Sequence, residues 1–207
     1  MLHLSHGHFL ILLKGNAAFL YYLHIGVVSD MYTEILETLE LDSRNRIRFS
    51  LVSLMEQYPY SEIVVSAICQ KAKVSRQTYY RLFDSKDDVL LLHLNEIMKE
   101  YLLPRILLDN TSTNEFLQFF LFFVGHKDLL RTLYRNDKMY LLQHVLTRYS
   151  KLFIQEPFYR VAIGYNYAVD FVASTLCSLL TVWTQMEFKT GCSTLASFAS
   201  SFLEAVN

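Results

Sequence analysis

The sequence predicts an all-α protein: an N-terminal head of three short helices containing a helix-turn-helix, followed by a C-terminal helical bundle. Three observations carry this. Hydrophobic residues make up 52% of 207 and charged ones 19%, with 6 Gly and 3 Pro, which excludes a disordered or fibrous chain and leaves ample material for a buried core. From residue 43 onward apolar residues recur at helical spacing. Helix-start signals stand at Ser75, at Ser85-Lys86-Asp87-Asp88 and at Ser112-Thr113-Asn114-Glu115.

Taken in order, Ile47, Leu51, Leu54 and Met55 share one face of a helix from Ser43 or Arg44 to Gln57, which Tyr58-Pro59-Tyr60 ends. A second helix, Val65 to Ala72, buries Ile68 with either Val65 or Ala72. After a tight break at Lys73-Val74, Ser75 caps a third helix running to Phe83. The box at Ser85 opens a longer helix with Val89, Leu90, Leu92, Leu94, Ile97 and Met98, expected to continue to Pro104. Three short helices and a connecting one are the layout of a helix-turn-helix unit. The box at Ser112 leads into FLQFFLFFV, apolar around nearly its whole circumference and so expected to lie centrally. Further helices are expected at 128–135, 138–154 and 157–189, and from Ser193 to Val206 after Gly191-Cys192. The expected organisation is an extension (1–42), a head (43–92) and a body (93–207).

Residues 9–28 (FLILLKGNAAFLYYLHIGVV) are long enough to span a bilayer, but Lys14, Asn16 and His24 interrupt the run. No Lys or Arg precedes it and no small-residue cleavage site follows, so it makes a poor secretory signal. Three readings stand: a membrane anchor, an apolar helix packed on the protein, and an over-extended translation starting in truth at Met31, which opens an ordinary polar segment. The third is the expectation, with no membrane partner. His3, His6 and His8 could bind a metal in principle, against the plainer reading of an unstructured terminus; no metal and no cofactor are expected. Cys69, Cys177 and Cys192, odd in number and far apart, fit reduced thiols in the cytoplasm better than disulfides.

The net charge is −1, yet its distribution is uneven: residues 1–42 carry −4, residues 43–105 carry +3, and the remainder balances. Lys71, Lys73, Arg76, Arg81 and Lys86 cluster within the positive segment, interrupted by Asp84. A solvated helical face explains such a run, and so does a surface for a polyanion. On the third helix Tyr79 and Phe83 share the face suited to the core, while Gln77, Tyr80 and Arg81 fall opposite. Gln matches an adenine edge, Arg a guanine edge, and hydroxyls suit phosphate oxygens.

The stretch IVVSAICQKAKVSRQTYYRLFDSKDDVLLLH, residues 63–93, resembles the DNA-binding signature of the tetracycline-repressor (TetR) family of bacterial transcriptional regulators, the run VSRQTYYRLFDSKDDVL being its most specific part. Two departures are visible: Lys73 stands where that family has a turn Gly, and Cys69 where it has Ala. The resemblance implies a dimer on a palindromic double-stranded DNA operator. It makes Thr78, Tyr80 and Lys86 phosphate contacts and places Gln77 among the base readers with Ser75 and Tyr79 beside it; Arg76 and Arg81 complete the surface. Arg44, Arg46 and Arg48 are candidates for an N-terminal arm along the backbone, or simply a solvated helix start. The body is similar, more weakly, to the branch of dihydroxyacetone-operon activators, whose long penultimate helix carries a Trp matched by Trp183.

For a small, unidentified ligand of the body the candidates are Phe116, Phe120, Phe123, Tyr149, Phe153, Tyr165, Phe171 and Trp183, with His126, His144 or Asp170 to orient it; a well-filled core is the competing explanation. Small residues (Ala168, Ala173, Ser174, Ser178, Ala196, Ser197, Ala199, Ser200) suit either a two-fold dimer interface or packing within one subunit. No Gly-rich phosphate loop, H-E-x-x-H or G-x-S-x-G run occurs, so no enzyme is expected. A dimeric repressor is the expected function, and a protein-binding co-regulator of the same fold is the alternative.

Overall fold

Nine α-helices and no strand occur among the residues described by the computed structural model, which are 37–108, 114–150 and 162–204. The chain divides after Arg44 into two units, Met1–Arg44 and Asn45–Asn207. The first helix, α1, covers 37–55. There follow α2 (Val65–Ala72), α3 (Arg76–Leu82), α4 (Lys86–Leu108), α5 (Glu115–Val124), α6 (Lys127–Arg135), α7 (Met139–Tyr149), α8 (Ala162–Gln185) and α9 (Cys192–Glu204). The 9–28 run, the three N-terminal histidines and Met31 lie outside the described residues, as do Ser112 and Phe153.

Local signals set most of these boundaries. Ser75 Oγ accepts the Thr78 N–H at 2.9 Å and so caps α3. At the start of α4 the Ser85 hydroxyl accepts the Asp88 N–H (3.1 Å) while the Asp88 carboxylate accepts the Ser85 N–H (2.8 Å), the reciprocal box read in the sequence. Lys73 ends α2 in the left-handed region, φ 55 and ψ 46, and Val74 N–H returns to the Cys69 carbonyl at 3.0 Å. A lysine there instead of glycine costs roughly 1 kcal/mol.

Four boundaries differ from expectation. Residues 37–42, read as extension, are already helical, because Glu37-Thr38-Leu39-Glu40-Leu41 contains mostly good helix formers. α4 passes through Pro104 to Leu108, the loss being one backbone donor in a helix of 23 residues. α5 begins at Glu115, because Asn114 is the cap, its side chain accepting the Leu117 N–H at 3.2 Å. α8 stops at Gln185: Glu187 (φ 54) and Phe188 (φ 57) turn left-handed, and Phe188 N–H closes on the Trp183 carbonyl at 2.9 Å. That turn buries Phe188 against Trp183 (5.0 Å between rings) and lets the indole N–H reach the Thr190 carbonyl at 2.8 Å. Burying the ring contributes about 1.5–3 kcal/mol, enough to offset two strained residues.

One hydrophobic cluster runs from Ile47, Leu51, Ile68 and Tyr79 through Leu90 and Leu94 to Phe119, Phe120, Phe123, Leu130, Leu133, Leu176, Leu180 and Trp183. α7 packs on α8 and α4, α5 on α9, and α6 on α8. By length and composition, Tyr167–Gln185 of α8 is apolar enough to cross a membrane; its Leu176, Leu180 and Trp183 are buried, as in the core helix of a helical bundle.

Among the expected ligand residues, Phe120, Phe123 and Trp183 are fully enclosed, with Phe120 6.0 Å from Trp183 between ring centroids. Phe116 and Tyr149 are half-buried. Phe171 is 38% exposed on α8, beside the buried Val172 and Ala173. The Tyr165 side chain is outside the described set. His126 stacks on Phe122 (4.5 Å), while His144 and Asp170 face solvent. Ala173, Ala196 and Ala199 are buried within the subunit, which accounts for those small residues without a second copy.

Candidate nucleic-acid interface

The period of α3 divides its residues. Tyr79 and Leu82 face inward onto Ile68, Cys69 and Ala72 of α2, with Phe83 closing the packing (5.9 Å between the Tyr79 and Phe83 rings). Arg76, Gln77, Tyr80 and Arg81 face outward, Tyr80 at 60% exposure, and Thr78 is half-buried. Ser75, Lys71 and Lys73 are exposed at the turn before it. The structure therefore brings Lys71, Lys73, Ser75, Arg76, Gln77, Tyr80 and Arg81 to the α2–α3 turn and the outer side of α3. Such a helix, with Arg76, Gln77 and Arg81 able to pair bidentately and further cations beside them, is suited to the major groove of a duplex.

Four expected contacts have other surroundings or partners. Tyr79 has no exposed surface, and its hydroxyl has no hydrogen-bond partner, so it belongs to the core and cannot sit beside Gln77 at a base. Burial pushes its phenol up to about 12. Tyr79→Phe is expected to raise unfolding free energy by roughly 1 kcal/mol, a shift of about 2–4 °C in Tm by thermal melt, because a desolvated hydroxyl is removed at little cost in packing. Arg48, offered as an arm residue, is 9% exposed: its guanidinium donates to Asn45 Oδ1 (2.8 Å) and His93 Nδ1 (3.1 Å). Apolar positions on both sides of it, Ile47 and Leu51, turn that side of α1 into the core.

Arg46 is exposed, but its Nη1 reaches the Ala72 and Lys73 carbonyls (3.3 and 3.4 Å), where a cation complements the C-terminus of α2. Arg44 is half-exposed on α1. Lys86 is turned inward: its ammonium donates to the Tyr60 carbonyl (2.7 Å) and the Ile63 carbonyl (2.6 Å) and lies 4.3 Å from the Tyr60 ring centroid. Burial, aided by the Lys138 charge, lowers its pKa. It holds the loop ahead of α2 in this conformation, and a phosphate would compete with two carbonyls for it.

Sequence reading missed the groups around Lys86. Asp87 accepts from the Tyr60 hydroxyl, from Tyr140 (2.5 Å) and from the Lys138 ammonium (2.9 Å). Burial opposes its charge, but the hydrogen bonds from Tyr140, Tyr60 and Lys138 outweigh it and hold Asp87 below the ordinary carboxylate range. These partners stand 27 to 53 residues apart in sequence, beyond any local pattern. A cavity of about 500 Å³ opens between α1 and α2, lined among others by Leu54, Tyr58, Ile63, Ala67 and Lys71; none of the expected ligand residues lines it. Among the described residues no group of three or more His, Cys, Asp or Glu is placed to hold a metal ion.

No protein-family model matches the chain, and no curated protein does. Among solved structures it is similar to a TetR transcriptional regulator from Streptococcus agalactiae 2603V, with a TM-score of 0.56 and 18% identity over 83% of this chain and 98% of that one. At that identity the likeness shows the fold, an all-α arrangement shared with a transcriptional regulator. The comparison gives no support to the dihydroxyacetone-operon activator branch.

Proposed function

We propose that this chain is a sequence-specific DNA-binding transcriptional regulator, acting as a homodimer on a palindromic double-stranded operator, and that it represses until a small, largely apolar ligand alters its affinity. The observation that carries the reading is the outward face of α3: Arg76, Gln77, Tyr80 and Arg81 exposed together, beside Lys71 and Lys73, on a helix whose other side is core. The shared fold with a TetR transcriptional regulator supports it. One short recognition helix reads few bases, so two copies must combine to gain specificity. A stripe along α8, with Tyr167 74% and Val182 48% exposed around Ser178 and Met186 (55%) just past its end, is the surface this reading gives to the second copy.

Selection of bound duplexes from a random pool tests the proposal: the chain should enrich a palindrome and run as a dimer by light scattering. Gln77→Ala is expected to relax preference by about 1–3 kcal/mol at one base pair per half-site, while Arg76→Ala weakens all sequences alike and flattens the salt dependence by about one unit. Enrichment of no sequence, or equal losses on specific and random DNA for Gln77→Ala, would sink the assignment. An enzyme is not part of this reading.

A further inference from the structure

We propose that Asn136, Lys138 and Asp87 are positioning residues for operator recognition: the turn between α6 and α7 grips the loop that leads into α2 and the first turn of α4, and thereby sets the pose of the helix-turn-helix. The inference rests on the DNA-binding reading above and adds to it the part of the molecule that aims α2 and α3.

The loop 56–64 is held from outside. Its Tyr60 N–H donates to Asn136 Oδ1 at 2.7 Å, and the Asn136 amide donates to the Thr132 carbonyl (2.8 Å) and the Met55 carbonyl (3.5 Å), tying the end of α1 and the loop to the end of α6. From the other side Lys86 holds the Tyr60 and Ile63 carbonyls. Asp87 joins the two grips. The capping of α4 is done by Ser85 and Asp88, which leaves the Asp87 carboxylate to accept from Tyr60 of the loop, from Lys138 in the α6–α7 turn and from Tyr140 in the first turn of α7. The Lys86 and Lys138 ammoniums lie 4.3 and 4.1 Å from the centroid of the Tyr60 ring, and the Lys138 side chain is only 14% exposed.

The turn is itself a fixed corner. Asp137 sits at φ 55, and Lys138 N–H closes on the Leu133 carbonyl at 2.8 Å. A non-glycine residue stays in that region only where surrounding bonds over-determine it. Movement of the end of α6 therefore carries Asn136 and Lys138, and with them the loop before α2 and the first turn of α4.

The test uses the full chain and the duplex that wild type selects, together with versions whose half-sites are moved one base pair closer or farther. Lys138→Met is expected to bind the selected operator about tenfold more weakly, to lose less on the shifted operators so that spacing preference flattens, and to be restored by Lys138→Arg. Tyr140→Phe, which removes one exposed donor and keeps the packing, should show a smaller loss with the same flattening, and it carries the test if Lys138→Met does not fold. Affinity within twofold of wild type with an unchanged spacing preference, whatever the melting temperature does, overturns the proposal. If wild type itself enriches no duplex, the DNA-binding reading fails first, and the junction is a structural tie alone.

Discussion

Phe120→Ala is expected to destabilise the fold by about 3–5 kcal/mol in urea unfolding at neutral pH, the cost of deleting a fully buried aromatic ring and leaving a cavity. Phe120 has no exposed surface and meets Phe119 and Trp183 edge-on at 5.5 and 6.0 Å. Those rings come from α5 and α8, so the loss falls where two helices are joined. The measurement also decides between the two readings of this aromatic group. A cost below about 2 kcal/mol would mean that the neighbours of Phe120 do not pack closely on it, as the wall of a ligand cavity would not. A full cost places Phe120 in the filled core.

Acid should destabilise the protein well before its carboxylates titrate. His93 is 6% exposed, and its Nδ1 accepts from the Arg48 guanidinium, a donor-only group, so the ring is neutral with its proton on Nε2. Burial, then the Arg48 charge, lower its pKa from 6.5 to about 4. The unfolded chain therefore binds the extra proton first, and stability is full above pH 6.5 and falls as pH drops towards 4. Between pH 7.5 and 4.5 the unfolding free energy should decline by roughly 2–3 kcal/mol from this residue. His126, also lowered by burial, adds in the same direction. His93→Gln keeps an acceptor for Arg48 and cannot take a proton, so most of the decline should vanish; an unchanged decline would show that His93 is not its source. Asp87 contributes with the ordinary carboxylate sign, its stabilisation being lost only at lower pH, below the window where His93 acts.

What the sequence by itself determined is everything set within about a turn of helix. The caps at Ser75 and Ser85, the left-handed Lys73 and the two sides of α3 follow from hydroxyl placement, backbone preference and a 3.6-residue period. The same period puts Tyr79 on the core side with Phe83, whereas the family resemblance sets it beside the base reader Gln77, and burial decides for the period. Boundaries were less legible where two local signals competed, as with Ser112 and Asn114 ahead of α5, or where packing overrode a breaker, as with Pro104 in α4.

Only the tertiary structure decided which partner each charge has. Arg48, Arg46 and Lys86 look alike in the sequence, three cations in a basic segment, yet one is enclosed with His93, one lies across the end of α2, and one holds the loop before it. Asp87 reads as a first-turn helix acid, and in the fold it gathers Tyr60, Lys138 and Tyr140. The physical reason is that periodicity fixes which side of a helix is apolar but not which neighbour covers it. A long side chain takes whatever carbonyl, ring or carboxylate the packing brings within about 3 Å, and all of those groups but Asn45 come from 23 to 53 residues away.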